Sequence, residues 1–477
     1  MPTRPKADPA PDRAAHRAGE AVFALALLPI LLAALAVSVR TPFWEHDALL
    51  QVCLGVASLA WLVAIALAKN GRGDLSFVVA GAIALRLIGL VGWPGLSDDV
   101  ARYAWEGEVL ARGASPYAFA PDAPELEALR AELPALHARV NHPQVSALYP
   151  PLAQALGAGV AGLRRMAGLC AVPFDSVLVL RPLLALADLS VLWPLAALLR
   201  RAGLPPGLAA VWGWSPLVVL EFAGSGHIDS FGILLLVGAL AALAGARAAG
   251  RELGGLALLS GAMLVKVLPV CALPFVARGR RWPVRLACVT MLCGLAFVPL
   301  FWLAGGFGGL GAGAAQYGLR WESTPLVYDG FEALVALAIE RTGVRADPRV
   351  IGRVSILVAW GIVGVRLWSR RADAVEAAGV MVAAFLVLTP TLHPWYVTWV
   401  LPFVALRPRF SWLWLAATAP LLYRHIGAFE RSGVWTARSG LELTDLRLWI
   451  VLVLFVFLVY EARRSAPGRR RRARSAR

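Results

Sequence analysis

Residues 48–68 read ALLQVCLGVASLAWLVAIALA, twenty-one positions without a charged side chain. At about 1.5 Å per residue, a helix of this length crosses the roughly 30 Å hydrocarbon core of a bilayer. A helix is the expected form, because lipid offers no hydrogen bonds to the backbone and each N–H and C=O must be satisfied inside the segment. The stretch therefore predicts a transmembrane helix.

Similar apolar blocks recur along the whole chain. Of the 477 residues, 59% are hydrophobic and 16% are charged, and the mean hydropathy is +0.67. Soluble domains are nearer half apolar and a quarter charged. The clear blocks lie near 21–39, 48–68, 75–95, 176–199, 207–223, 230–247, 284–304, 350–369, 373–392, 395–407, 410–424 and 446–461. We expect an all-α polytopic transmembrane bundle of about 12–14 spans.

Positive charge is concentrated in arginines that flank these blocks. The net charge is +16, and eight arginines between Arg463 and Arg477 directly follow the last block. Others stand in short loops, near 200–201, 247–251, 278–285 and 366–371. Arginine-rich short loops are typical of the cytoplasmic side, where they meet anionic lipid headgroups. We therefore expect membrane lipids and no nucleic acid as partners, and both termini in the cytoplasm.

Two apolar segments do not fit a simple crossing. Segment 253–277 contains Lys266, Pro269 and Pro274, which suit a broken or re-entrant helix. Segment 149–166 begins with Tyr-Pro-Pro and ends with two arginines, so it either crosses with a short return or lies at the membrane surface. The predicted number of spans is 12–14 because it depends on whether these two segments cross the membrane.

The longest polar stretch, 96–148, falls on the extracytoplasmic side by the same charge rule. It opens with LSDDVARYAWEGEVLARGASPY at 96–117. Ser97 or Asp98 can cap a helix, and Gly113 is a natural stop. We predict a helix between them that packs on the external ends of the spans.

One face of this predicted helix is polar. Positions i, i+3, i+4 and i+7 of a helix lie side by side, and here they are Asp99, Arg102, Tyr103 and Glu106. The pattern has two interpretations. It is either a helix cap followed by surface salt bridges, or a reactive face at the mouth of a helix bundle.

The order of motifs along the chain resembles a known superfamily. Asp-x-x-x-Tyr, Trp-Glu-Gly and Gly-x-x-Pro-Tyr follow one another in the first external loop, and further motifs come later. The elements are Asp99, Tyr103, Trp105-Glu106-Gly107, Gly113-Ala114-Ser115-Pro116-Tyr117, Tyr149-Pro150-Pro151, Gly226-His227-Ile228-Asp229, Lys266-x-x-Pro269 and His393-Pro394-Trp395-Tyr396. Over roughly residues 75–405 they resemble the GT-C membrane glycosyltransferases, in particular the bacterial branch that uses polyprenyl-phosphate sugars and includes many α-mannosyltransferases.

The resemblance implies an inverting transfer of a hexose, with mannose expected, from a β-linked polyprenyl-phosphate donor to an α-linked product. It implies Asp99 as the general base, with Asp98 as a helper. The acceptor is an extracytoplasmic glycan, lipid or protein. The chain then divides into a cytoplasmic N-terminal tail at 1–20, a GT-C-like transmembrane catalytic domain at 21–461 and an Arg-rich cytoplasmic tail at 462–477, in the cytoplasmic (inner) membrane of a bacterium.

Nine residues are candidates for binding the donor phosphate or sugar. They are Lys266, His227, Asp229, Arg102, Tyr103, Glu106, Arg320, His393 and Tyr149. Lys266 has the strongest case, because an ammonium group inside an apolar run is costly and marks function. The alternatives are snorkelling of Lys266, local capping at His227 and Asp229, an interfacial aromatic belt around His393 and a flexible loop around Arg320.

A metal cofactor stays open at this stage. The adjacent carboxylates of Asp98 and Asp99 could hold Mg²⁺ or Mn²⁺, but cationic side chains can equally balance a departing phosphate. We therefore expect transfer to survive EDTA; a loss of turnover that Mn²⁺ restores would contradict this. The sequence contains neither a Walker glycine pattern nor a Rossmann fingerprint.

Two other functions compete with sugar transfer. A transporter or flippase would show two related halves and ionisable residues in several spans, whereas only Lys266 stands out inside an apolar block and no repeat is evident. A lipid-linked glycan polymerase or ligase would favour a large arginine-rich external loop late in the chain. Here the largest external loop is early and begins with acidic residues.

Overall fold

The computed structural model describes residues 27–40, 47–92, 96–166, 168, 175–245, 248–279, 281–303, 311–423 and 446–465. Within these ranges the regular secondary structure is helical, apart from one isolated bridge between Ser323 and Thr391. The predicted 1–20 tail, residues 424–445 and residues 466–477 of the predicted C-terminal tail lie outside the described residues.

Seventeen principal helices are defined within the described residues. They are α1 Leu28–Arg40, α2 Asp47–Lys69, α3 Leu75–Val91, α4 Asp99–Ala111, α5 Pro151–Met166, α6 Asp175–Ser190, α7 Leu192–Arg201, α8 Asp229–Leu243, α9 Ala249–Val265, α10 Trp282–Leu303, α11 Ala312–Arg320, α12 Tyr328–Thr342, α13 Pro348–Ser369, α14 Ala374–Leu388, α15 Leu401–Leu406, α16 Phe410–Thr418 and α17 Leu446–Ser465. Shorter helical turns connect them and are identified below by their residues.

Four helices in the described ranges are long and apolar enough to cross a membrane: Ala48–Lys69, Ser176–Arg201, Trp282–Leu300 and Pro348–Ser369. A fifth follows if Pro206–Gly213 and Pro216–Gly224, bent by 49°, are one broken span. Six shorter apolar helices of 10–17 residues accompany them. The prediction of an all-α polytopic bundle is confirmed, and the count of 12–14 spans stays a prediction.

The surface of the long helices is what a lipid environment requires. Only 17% of the residues in the most apolar part of α13 are buried, and its exposed side chains include Leu357, Val358 and Ile362. In the most apolar part of α10, only 11% of the residues are buried. Such continuous apolar surface is unfavourable in water but matches lipid tails. These two helices therefore lie at the lipid-facing edge of the bundle.

A buried ion pair and a second buried arginine join the helices. Arg86 on α3 binds Asp188 on α6 through two contacts of 2.7 and 2.9 Å, and it also donates to the carbonyl of Gly213. Arg181 on α6 donates to the carbonyls of Gly89 and Ala223. The interpretation that Lys266 is the one ionisable residue inside an apolar block is therefore wrong. These charged side chains are tolerated inside apolar blocks because they bind each other and backbone carbonyls.

Segment 149–166 forms α5, which packs along α4 to make a helical pair. The two backbones meet at glycines: a Cβ on Gly157 would lie 2.6 Å from the Tyr103 carbonyl oxygen and 3.0 Å from Gly107 Cα. Arg164 of α5 reaches Glu108 of α4 at 2.9 Å, and both side chains are buried. Residues 100–109 of α4 are buried, because α5 covers one side of the helix and the 141–146 loop binds another.

Gly157→Ala is expected to lower the free energy of unfolding by about 1–3 kcal/mol, because the methyl group would force the two backbones apart. The measurement is thermal unfolding of the protein in lipid nanodiscs. Gly159→Ala is the matched control on the same helix, since a Cβ there meets nothing within 4 Å. Equal melting temperatures for both variants would contradict the close packing.

Segment 253–277 is a broken helix, as the sequence predicts. Helix α9 ends at Val265, and Lys266 is extended with φ −152° and ψ 144°. Two short helical turns, Leu268–Ala272 and Leu273–Ala277, then continue the segment. The helical ladder ends at Lys266, whose N–H still donates to the Ala262 carbonyl at 3.0 Å, and the Lys266 side chain binds Asp229 of α8, where the candidate site lies.

Candidate active site

Asp99 stands at the start of α4 and is surrounded by hydrogen-bond donors. Its Oδ1 accepts from the Asn141 amide at 2.7 Å, and its Oδ2 lies 3.4 Å from both the Tyr103 and the Tyr149 hydroxyl. Its side chain is 16% exposed. Burial raises the pKa of Asp99, although Asn141, Lys266 and Arg102 act in the opposite direction. The group is thus a partly exposed carboxylate with increased basicity.

The two tyrosines complete this pocket as donors. Burial raises the pKa of Tyr103 and of Tyr149 well above the usual value, and the Asp99 charge adds to the effect. Both phenols therefore stay protonated at neutral pH. Their rings meet edge to face with centroids 5.0 Å apart, and Tyr117 holds this loop by donating to the Tyr149 carbonyl at 2.7 Å.

His227 lies behind Asp99, in the turn before α8. Its Nδ1 is 3.6 Å from Asp99 Oδ2, and its Nε2 is 3.3 Å from Glu221 Oε2. The imidazole is fully buried and stacks on Trp395 at 4.0 Å between ring centroids. Burial lowers the pKa of His227 well below the usual value, and Lys266 and His393 add to the effect. The ring is therefore neutral at pH 7.

Gly226 makes the turn that presents His227. Its φ is +77°, a left-handed conformation that glycine adopts without steric cost. A Cβ at this position would lie 2.8 Å from Arg181 and 3.0 Å from Val100. The Gly-His-Ile-Asp motif is thus a tight turn pressed against the start of α4, which explains why His227 and Asp99 meet.

Lys266 brings a positive charge to the site. Its Nζ is 2.7 Å from Asp229 Oδ1 and lies 4.5 Å from the centre of the Tyr396 ring. The lysine side chain is 17% exposed, whereas Asp229 is fully buried. Asp229 Oδ1 also accepts from the Trp399 indole N–H at 2.5 Å. Asp229 therefore fixes the orientation of the Lys266 ammonium group, and the lysine side chain stays partly exposed.

Aromatic side chains form one wall of the pocket. The Tyr396 and Tyr317 hydroxyls are 2.7 Å apart, and Tyr317 stacks on Trp321 with centroids 5.5 Å apart. His142 meets the Trp321 ring edge-on at 4.3 Å. His393 stacks on Trp395 at 4.3 Å, and burial lowers the pKa of His393 to about 3. Arg320 ends α11, and its side chain lies outside the described part of the structure.

The structure gives Arg102 and Glu106 a different place from the expected one. Arg102 is buried, binds Glu106 at 2.8 Å and donates to four backbone carbonyls of the 141–146 loop. Glu106 also accepts from Gln154 at 2.7 Å. With its guanidinium committed to protein acceptors, Arg102 anchors the loop that brings Asn141 to Asp99. We assign Arg102 and Glu106 to positioning the pocket, not to holding phosphate.

Asp98 and Asp99 face different partners. The Asp98 side chain is 48% exposed and pairs with Arg139 at 2.7 Å, while Asp99 turns toward Asn141 and His227. In the ranges that the structure describes, no group of three or more His, Cys, Asp or Glu side chains is placed to hold a metal ion. In the described structure the two adjacent carboxylates therefore contact different partners.

Several residues of the site carry no signal in the sequence that sets them apart. Asn141 sits in an ordinary polar loop, and Trp399 and Tyr423 look like apolar span residues. Glu221 is different, because a single acid within an apolar block is itself a functional indication. The sequence leaves it open whether Glu221 is interfacial or faces the cavity; in the structure it is fully buried against His227.

The assembled pocket joins three chemical capabilities. A carboxylate of raised pKa can take a proton from a hydroxyl group. An ammonium group beside it can balance negative charge on a leaving group. Phenol, indole and imidazole rings around them offer flat surfaces and donors for a sugar. These parts come from segments far apart in the chain, which the fold brings to one place.

Comparison with known families gives two matches along the chain. The family described as "Alpha-(1->6)-mannopyranosyltransferase, N-terminal domain" matches residues 21–279, and the "MptB C-terminal domain" matches residues 330–423. Among curated proteins and among solved structures, no match is found. The first match alone covers more than half of the 477 residues and contains Asp99, His227 and Lys266.

Proposed function

The chain belongs to the alpha-(1->6)-mannopyranosyltransferase family, and from this premise we propose that it moves mannose from a polyprenyl-phosphate donor to an extracytoplasmic acceptor, with inversion and with Asp99 as the general base. The resemblance to GT-C mannosyltransferases is confirmed by the family match. Mannosyl transfer itself follows from membership. The donor, the side of the membrane and the residue roles are the proposal.

A lipid-linked donor is supported by the chemistry around Lys266. A polyprenyl phosphate leaves as an anion, and an ammonium group that is partly exposed can stabilise that charge as it develops. The lysine sits at a break between helices in an apolar bundle, so a lipid tail can remain among helices while the head reaches the pocket. Tyr149 and Tyr396, which flank the ammonium, would then contact the mannosyl phosphate.

The proposed reaction is a single displacement. The acceptor hydroxyl attacks the anomeric carbon of mannose, and its proton passes to the Asp99 carboxylate. The bond between the anomeric carbon and the phosphate oxygen breaks, and its electron pair leaves with the polyprenyl phosphate. Because attack and departure occur on opposite faces of the sugar, a β-linked donor gives an α-linked product.

The proposed location is supported by the distribution of charge and by the length of the apolar segments. Arginine-rich loops and an arginine-rich tail favour the cytoplasmic side, and with this orientation α4, the turn at His227 and His393 would lie on the extracytoplasmic face. We propose the cytoplasmic (inner) membrane of a bacterium, with both termini inside. Acceptors on that face are glycans, lipids or proteins of the cell envelope.

The direct test is transfer by the purified protein in lipid nanodiscs with labelled mannose donors. We expect mannose to move to an acceptor glycan from polyprenyl-phosphate mannose and not from a nucleotide-linked mannose. Treatment of the product with an α-specific mannosidase should release the label. Transfer from the nucleotide donor alone, or a β-linked product, would contradict the proposal.

Asn141→Ala is expected to move the acidic limb of the kcat/KM profile to higher pH. The raised pKa of Asp99 means that activity falls as the pH drops through that pKa, because the base becomes protonated. The Asn141 hydrogen bond lowers this pKa, so its loss raises the pKa further. Gln144→Ala, an exposed amide in the same loop, is the control. If the acidic limb of the Asn141→Ala profile does not move, Asp99 does not determine the position of that limb.

A further inference from the structure

Glu221 is a fully buried acid that the reaction described above does not use. It lies in the π-helical stretch Val219–Gly224, and such stretches occur often at functional sites. The Tyr423 hydroxyl is 2.9 and 2.8 Å from its two carboxyl oxygens, and His227 Nε2 is 3.3 Å from Oε2. Among the described residues no arginine or lysine pairs with Glu221, so an ionised Glu221 would be a buried charge without a cationic partner.

The contacts between His227 and its two carboxyl neighbours restrict where the protons are. A neutral imidazole donates from one nitrogen and accepts at the other. Both nitrogens are buried and make no hydrogen bond of good geometry within the described ranges, so Asp99 and Glu221 are the groups they face. Separations of 3.6 and 3.3 Å are loose, as is common in catalytic sites before substrate binds.

Asp99 can act as a base only when it is ionised. An ionised Asp99 beside Nδ1 requires a hydrogen on Nδ1, because a bare lone pair there would repel the carboxylate. Nε2 is then the accepting nitrogen, and Glu221 must supply a hydrogen to it. A protonated Glu221 does so through Oε2 while the Tyr423 hydroxyl donates to Oε1.

We propose that Glu221, in its protonated form, is a positioning residue that fixes His227 in the tautomer donating Nδ1–H to Asp99. The proposal rests on the proposed role of Asp99 as base. The hydrogen bonds then run in one direction, from Tyr423 to Glu221, to His227 and to Asp99. Stacking on Trp395 keeps the imidazole plane in line. The site thereby presents its base with a defined orientation before the acceptor arrives.

The other charged and titratable groups around the imidazole are consistent with hydrogen bonds that run from Glu221 through His227 to Asp99. Lys266 and His393 both act to keep His227 neutral. Asp229 Oδ1 binds Lys266 at 2.7 Å, and among the described residues no hydrogen bond joins Asp229 to the imidazole. Glu221 is thus the neighbour through which the tautomer is set.

The kinetic test compares Glu221→Leu with Glu221→Gln. Leucine cannot donate to Nε2, and we expect kcat to fall about 10- to 100-fold with the donor KM nearly unchanged, since outer partners that orient an imidazole have effects of this size. Glutamine can donate from its amide nitrogen and accept from Tyr423 at its oxygen, so it should restore most of the rate that leucine loses. Equal rates for wild type and Glu221→Leu, or equal losses in both variants, would overturn the proposal.

A second readout needs no substrate. Nitrogen NMR of ¹⁵N-histidine-labelled protein distinguishes protonated from unprotonated ring nitrogens, and a His227→Gln sample assigns the signal. We expect the Nδ1–H tautomer in wild type and in Glu221→Gln, and its loss in Glu221→Leu. An Nε2–H tautomer in wild type would overturn the assignment of Glu221. This result stands even if the wild-type protein transfers no mannose, which would instead refute the proposed function.

Discussion

Replacing Asp99 by asparagine is expected to lower kcat for mannosyl transfer by about 1,000-fold, within the range that a positioned general base contributes. Asparagine keeps the shape of the side chain and can still meet Asn141 and the tyrosine hydroxyls, but it cannot accept the acceptor's proton. The KM for the donor should change little, because Asp99 acts on the acceptor hydroxyl. The measurement is steady-state transfer from polyprenyl-phosphate mannose in nanodiscs.

Asp98→Asn is the matched comparison for Asp99→Asn. The two acids are adjacent, but Asp98 is exposed and pairs with Arg139, whereas Asp99 faces the pocket. We expect Asp98→Asn to alter kcat by no more than about threefold, since exposed ion pairs contribute little. A large loss in Asp98→Asn, with transfer intact in Asp99→Asn, would reverse the assignment of the base.

Stability gives a further check on Asp99→Asn. Because the folded protein raises the pKa of Asp99 above its ordinary value, the ionised side chain weakens folding at any pH above that raised pKa. The contribution is removed when the carboxylate is protonated or replaced by an amide. The Asn variant should therefore melt at or above the wild-type temperature, so a loss of activity cannot be attributed to unfolding.

The order of motifs in the sequence predicts many of the residues that form the site. Asp99, Tyr103, Tyr149, His227, Lys266 and His393 come from distant positions, and the fold places them around one pocket. The reason is physical: an acid or a cation at the edge of an apolar block is costly unless it is paired or faces a polar cavity. A bundle of this size has room for few such cavities, so these residues tend to share one.

Helical spacing could not predict which polar residues of α4 face the pocket. Asp99, Arg102, Tyr103 and Glu106 share a face only approximately, and α5 and the 141–146 loop cover the rest of the helix. Arg102 turns to that loop because four carbonyls there need a donor. The sequence does not show the partner surface, so it cannot separate the reactive part of the face from the anchoring part.

The Lys266→Met variant is expected to lose transfer by at least about 100-fold in kcat/KM, because the charge that stabilises the leaving phosphate is absent. It should also destabilise the protein by about 3–5 kcal/mol, because Asp229 would remain as a buried charge without its partner. The measurements are donor-dependent transfer and thermal unfolding in nanodiscs. Loss of activity alone would not separate these two causes.

The double variant Lys266→Met with Asp229→Asn separates them. Asparagine removes the buried charge and can still accept from the Trp399 indole, so much of the lost stability should return. Transfer should stay low, because no ammonium group faces the phosphate. If the double variant regains both its melting temperature and its kcat/KM, the lysine only neutralises Asp229. If stability returns without transfer, the Lys266 charge acts on the donor, as the partly exposed ammonium in the pocket indicates.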